Sequence, residues 1–224
     1  RGTWYPESTI PTIMNYDKMR TGGGNLWGPS HEIGHNHQES IKVIGTTESS
    51  NNLFSNINTF ESGILNSRRF NIFYPYGNSS DAKATQDYLA NQVPWLGRSI
   101  WYTTGFYFQL YLYFHVQGHD PEFYPNLFRQ MRKKPLNRWS GPGGNGPTSY
   151  GKDDYLHLAK MICDVAQADL SELFEAYGMF IPVDKFEVSD YSNYTVTTTQ
   201  AHIDAAKAYM QKYEKKLGNI MFID

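Results

Sequence analysis

The sequence predicts a mainly α-helical fold of the α+β class, with a helical C-terminal half and small β elements. Three observations predict it. Helix start and stop signals recur, most clearly where Asp120-Pro121-Glu122 opens a segment that Arg132-Lys133-Lys134 closes ahead of Pro135. Residues 99–119 contain no Asp, Glu, Lys or Arg, yet Phe106, Leu110 and Phe114 mark one helical face, as a buried helix requires. Strand character is confined to two short stretches, residues 9–16 and 181–199. At 224 residues the chain is within single-domain range and would bury about 70% of its unfolded surface, so residues 1–224 are expected to form one domain.

In chain order, residues 9–16 alternate weakly and predict a short strand interrupted at Pro11. Gly22-Gly23-Gly24 follows as a flexible approach, and Gly28 with Pro29 at the first helical position predicts a helix start there. A break at Gly45 precedes a second helix over residues 46–57. Residues 70–78 read as an aromatic-rich ordered loop, and Ser80-Asp81 caps a helix over 80–92 that Pro94 ends. After the buried helix and the helix opened at Asp120, residues 139–147 are a glycine- and proline-rich loop. Helices over 153–168 and 170–177, a strand pair within 181–199 and a lysine-rich helix over 200–217 complete the chain.

The chemistry concentrates in His31-Glu32-Ile33-Gly34-His35. Two histidines four apart on a helix are separated by about 6 Å of rise and about 40° of rotation, so both rings can meet one ion. Glu32, beside the first histidine, is badly placed to ligate but well placed to take a proton from a water at that ion. One zinc ion on His31 and His35, with Glu32 as base, is the expected arrangement. A catalytic zinc usually takes a third protein ligand. Glu39 would lie about 12 Å along a continuous helix from His31, and His37 would face about 160° away from His35, so neither serves. Glu48, in the first turn of the next helix, is favoured there by the helix dipole and is the expected third ligand. Asn52, one turn on, would accept the free N–H of a liganding histidine. A glycine and a histidine three and six residues after His35 would mark another zinc arrangement; Gln38 and Ile41 stand there instead.

Residues 27–38, Thr47-Glu48 and Asn51-Asn52-Leu53 together resemble the enhancin-like gluzincin peptidases, which include viral enhancins and bacterial mucin-degrading metallopeptidases. Residues 123–129 and 173–178 are similar to the helical half of that family. The resemblance implies a gluzincin-type zinc endopeptidase domain that acts on mucin-type, O-glycosylated proteins. It also implies a secreted or cell-surface bacterial protein, of which this chain, starting at Arg1 without a signal peptide, is expected to be a fragment. Glycan recognition is then expected near the metal, with Gly24, Asn25 and Trp27 as substrate-contact candidates, although an aromatic ahead of a helix is also a common packing staple.

The balance of 20 basic and 22 acidic residues gives a net charge of −2 and no global field toward nucleic acid or an anionic membrane. Thr103, Thr104, Gln109, Gln117 and two histidines make residues 99–119 a poor membrane span. His115 and His119 are four apart but lack an intervening glutamate, which favours a structural role. Cys163 is the single cysteine and is expected to be an inert core residue. The cluster Arg129, Arg132, Lys133, Lys134 and Arg138 reads first as a solvated helix end and second as an attraction for acidic glycans. A monomer is assumed. Two other functional readings stand beside the peptidase: a glycoprotein-binding module with a structural or vestigial zinc site, and a zinc peptidase indifferent to sugar.

Overall fold

The structure is a computed structural model that describes residues 7–21, 23–64, 93–97, 100–136, 154–191, 193–218 and 220. The sequence-predicted segments 70–78, 80–92 and 139–147 lie outside the described residues, as does Arg138. The fold is mainly helical, with one small antiparallel hairpin among the described residues. No described helix is long and apolar enough to cross a membrane.

The first elements are α1 (Ile10–Ile13), α2 (Tyr16–Thr21) and α3 (Gly23–Gly34). Two expectations fail here. The strand expected over residues 9–16 is helical, because Pro11 sits in the first turn of α1, where its preset φ suits a helix. The metal helix does not start at Gly28-Pro29; it starts five residues earlier, and Pro29 is internal. A proline disfavours the helical region at the preceding residue in part through that residue's Cβ, and Gly28, which has none, eases that restriction. The glycines expected as a flexible approach therefore belong largely to α3.

Helix α3 ends at Gly34 because the chain must pass close to Asn51. A Cβ on Gly34 would lie 2.6 Å from Asn51 O and 3.1 Å from Asn51 Cβ. A turn and a short 3-10 segment, Gln38–Ser40, lead past Gly45, whose φ of +79° suits glycine, to α4 (Thr47–Ser50) and α5 (Asn52–Glu61).

Behind these lies α6 (Ile100–Tyr111), in which every residue from Tyr102 to Tyr111 is buried. Trp95, Phe106, Tyr107 and Tyr177 pack edge to face around it. A π-helical segment, Leu112–Val116, extends α6, and His115 stacks on Tyr111 within it, a structural placement. Helix α7 (Phe123–Lys133) buries Phe123, Tyr124, Leu127 and Met131 on one stripe. Helices α8 (Asp154–Ala166) and α9 (Ser171–Ala176) follow, then β1 (Val183–Ser189) and β2 (Asn193–Thr198), paired antiparallel from Val183↔Thr198 to Ser189↔Asn193. Cys163 is buried in α8, and burial pushes its thiol up to about 12.

The last helix, α10 (Gln200–Met210), is shorter than expected. Its predicted continuation is drawn out of the helix by backbone bonds from Asp169 N to Lys215 O and from Leu217 N to Asp169 O. Tyr209, Lys212 and Tyr213 all bond Asp164 on α8 and pin this end down.

Candidate metal centre

Three side chains from two helical segments and a turn converge in front of α6. His31 Nε2 is 3.0 Å from Glu48 Oε2, and His35 Nε2 is 3.7 Å from Glu48 Oε1. One atom from each residue lies within 4.8 Å of the others, and all three side chains are partly open to solvent. Ligands about 2.1 Å from a tetrahedral ion stand roughly 3.4 Å apart, so two imidazoles and a carboxylate at these spacings fit a zinc ion. Among the described residues no fourth His, Cys, Asp or Glu joins the group.

His35 follows the last residue of α3, so its ring is carried by the turn, while its N–H still bonds His31 O at 3.2 Å. The close pass at Gly34 brings α3 against the start of α5 and sets the depth at which both rings face Glu48. Glu48 lies in the first turn of α4.

The surroundings of the rings are polar and specific. His31 Nδ1 lies 2.6 Å from Asn52 Oδ1; Asn52 Nδ2 donates to Thr104 Oγ1 at 3.1 Å, and Thr104 donates to Ser49 O. The buried helix α6 therefore anchors the metal side through Thr104. Trp27 stacks on His31 at 5.1 Å between centroids. His35 Nδ1 is 2.8 Å from the Gln38 amide, and Asn51 Nδ2 is 3.1 Å from His35 Nε2.

Charge follows geometry. Hydrogen bonding to His31 holds Glu48 down at about 2 against the opposing effect of burial, with Tyr191 adding a further bond. Burial disfavours a charged His31, but its bonds to Glu48 and Asn52 and the nearby carboxylates outweigh that, and its pKa is raised. Burial wins at His35, whose pKa is lowered despite Glu48. Glu32 is partly exposed and accepts no hydrogen bond among the described residues, yet its charge acts on His31, His35 and Tyr191 alike.

The structure separates the remaining candidates. His37 lies against Phe54 at 5.8 Å, outside the cluster. Glu39 pairs with Lys42 at 3.0 Å; the helix ends before it, so the turn rather than helical rise carries it away. Trp27 is 6% exposed, with its indole donating to Asn56 and its ring against His31, so it packs the metal helix and has no face free for a sugar. Asn25 donates to Lys18 O and ties α3 to α2; Gly24 is within α3. Arg129 pairs with Glu122 and Asn126 on its own helix and the residue before it.

Sequence reasoning missed Asn51, Gln38, Asp190 and Tyr191. Tyr191 donates to Glu48 Oε1 at 2.5 Å from 143 positions away, and no local pattern announces such a contact.

Two solved structures share this arrangement of the chain. One is a metallopeptidase from Bacteroides thetaiotaomicron, with 26% identity and a TM-score of 0.76, covering 94% of this chain and 34% of that one. The other is a metallopeptidase in complex with Tn antigen, with 27% identity and a TM-score of 0.77, covering 97% of this chain and 38% of that one. The chain thus spans little more than a third of the length of either relative. No curated protein matches it. The family model for peptidase M60, enhancin and enhancin-like, matches residues 2–178, and with that span the chain belongs to this metallopeptidase family.

Proposed function

We propose that this chain is the catalytic part of a secreted or cell-surface, zinc-dependent endopeptidase that cuts mucin-type O-glycosylated proteins. The observation that carries the reading is the convergence of His31, His35 and Glu48, with Glu32, which accepts no hydrogen bond among the described residues, beside them. Zinc bound there would polarise a peptide carbonyl and lower the pKa of a coordinated water to about 7. Glu32 takes the proton of the attacking water and returns it to the leaving amine.

The hydrogen-bond partners supply the tautomers that ligation needs. His31 donates from Nδ1 to Asn52 Oδ1, so the proton that zinc would displace is the one Nε2 donates to Glu48, and its loss frees the Nε2 lone pair for the ion. At His35 the argument runs through Ser50, which has one hydroxyl proton and two acceptors in reach: Thr46 O at 2.8 Å and Gln38 Oε1 at 2.6 Å. If Ser50 donates to Thr46 O and the Gln38 amide is turned end for end, Gln38 Nε2 donates to Ser50 and Gln38 Oε1 accepts from His35 Nδ1. His35 then carries an Nε2 lone pair, which accepts from Asn51 Nδ2 in this structure and which a metal would take in place of that bond. Both rings would ligate through Nε2 once His31 gives up its Nε2 proton and His35 its bond from Asn51.

Among the described residues the set has three ligands, which argues against a structural zinc in a binding module, since structural sites are closed by four protein ligands. The glycosylated substrate class rests on the family resemblance and on the relative bound to Tn antigen. Two measurements test the proposal. Glu32→Gln should keep its zinc and lose cleavage by roughly 100-fold or more; unchanged cleavage sinks the role of Glu32. One peptide compared with and without its O-glycan should be cut only when glycosylated; equal rates would leave a zinc peptidase indifferent to sugar.

A further inference from the structure

The turn between β1 and β2 lies beyond the segment matched by the family model, residues 2–178, yet it reaches the metal centre. Asp190 is buried there, and its Oδ2 accepts from Gly45 N at 3.0 Å, Thr47 N at 3.4 Å and Thr47 Oγ1 at 2.9 Å. These bonds hold the hairpin tip against the start of α4, next to Glu48. The following residue, Tyr191, has φ of +59°, a left-handed conformation that a bulky side chain rarely adopts. Burial does not explain that conformation, because Tyr191 is 79% exposed. Its specific contact is the phenol O–H donated to Glu48 Oε1. The two oxygens of Glu48 have different partners: Oε1 accepts from Tyr191 and lies 3.7 Å from His35 Nε2, and Oε2 faces His31 at 3.0 Å.

We propose that Tyr191 is a positioning residue of the metal centre: clamped in place by Asp190, it occupies Glu48 Oε1 so that Oε2 is presented to the ion shared with His31 and His35. An ionised carboxylate can rotate and offers several lone-pair sites, and a strong bond to one oxygen selects one of them. The inference rests on the zinc-site reading above and assigns a metal-binding role to the hairpin.

The test is the zinc dissociation constant, measured by competition with a chromophoric chelator, in the wild type and in Tyr191→Phe, Tyr191→Gly and Glu48→Ala. Loss of a partner that orients a metal ligand weakens binding by about 10- to 100-fold, the change expected for Tyr191→Phe and Tyr191→Gly. Glycine accepts the left-handed conformation, so Tyr191→Gly should unfold no earlier than the wild type in the metal-free state while still losing affinity, an outcome that a merely structural role would not give. In the Glu48→Ala background, adding Tyr191→Phe should change nothing further. Equal dissociation constants for wild type and Tyr191→Phe, or an undiminished effect of Tyr191→Phe without Glu48, would overturn the proposal. A wild-type chain that binds no zinc would instead overturn the site reading, and this inference with it.

Discussion

Replacing Gly34 by alanine tests how α3 is set against the rest of the metal centre. Two effects oppose each other. Alanine favours a helix over glycine by about 1 kcal/mol. Against that, the new Cβ would stand 2.6 Å from Asn51 O, where ordinary van der Waals contact begins near 3.4 Å. The obstructing atom is backbone, so no side-chain rotation relieves it, and α3 and Asn51 must part by about 0.8 Å. Overpacking of this kind costs about 1–3 kcal/mol, enough to cancel or outweigh the helix gain. In a domain of this size a net loss of about 1–2 kcal/mol lowers Tm by roughly 2–8 °C. The larger effect falls on the site, because His31 and His35 move with α3, whereas Glu48 is on the Asn51 side. Their 3.0 and 3.7 Å separations from Glu48 would open, and a displacement near 1 Å can cost about 100-fold in rate. Thermal unfolding of the metal-free protein, followed by zinc titration, measures both. A Gly34→Ala variant with unchanged Tm and unchanged zinc affinity would refute the close-approach argument.

Other perturbations act on the polar surroundings and on charge. Asn52→Ala leaves His31 Nδ1 without its acceptor and should weaken zinc binding by about 10- to 100-fold, read by chelator competition; Thr104→Val, one bond further out, should act in the same direction and more weakly. In the metal-free protein, ring-proton NMR should find His31 titrating above 6.5 and His35 below it, because hydrogen bonds and nearby carboxylates favour the charged form of the first while burial disfavours that of the second. Zinc must displace the His31 proton, so affinity should fall as pH drops through the raised His31 value, and a flat profile from pH 8 to 6 would contradict this. Burial raises the Asp164 carboxyl pKa, and hydrogen bonds from Tyr213, Lys212 and Tyr209 more than reverse that, holding it below 3.8. A depressed carboxyl stabilises the fold fully above pH 3.8 and loses that contribution as pH falls through its folded value, so Asp164→Asn should be less stable at pH 7 and the gap should narrow below pH 3.8.

What could be read from the sequence was local. The spacing of His31 and His35, the place of Glu32 beside the first histidine, and the placement of Glu48 and Asn52 in successive turns after Gly45 all follow from helical periodicity. The uncharged stretch around Phe106 identified the buried helix for the same reason. The failures came where one residue relaxed a local rule for its neighbour. Gly28 eases the restriction a proline places on the residue before it, and Pro11 served as a helix start rather than a strand break. Other features depend on contacts between distant segments. Gly34 is required by the backbone of Asn51, and Tyr191 reaches Glu48 from the far hairpin. Trp27 has the aromatic character expected of a sugar platform, but only the folded arrangement shows it covered by His31 and bonded to Asn56.

Anomalous diffraction at the zinc edge from crystals grown with zinc tests the central claim most directly. The account predicts one peak, about 2.0–2.2 Å from His31 Nε2, His35 Nε2 and a Glu48 oxygen, with a fourth position open toward Glu32. A peak bound elsewhere, or a site closed by a fourth protein ligand, would contradict it.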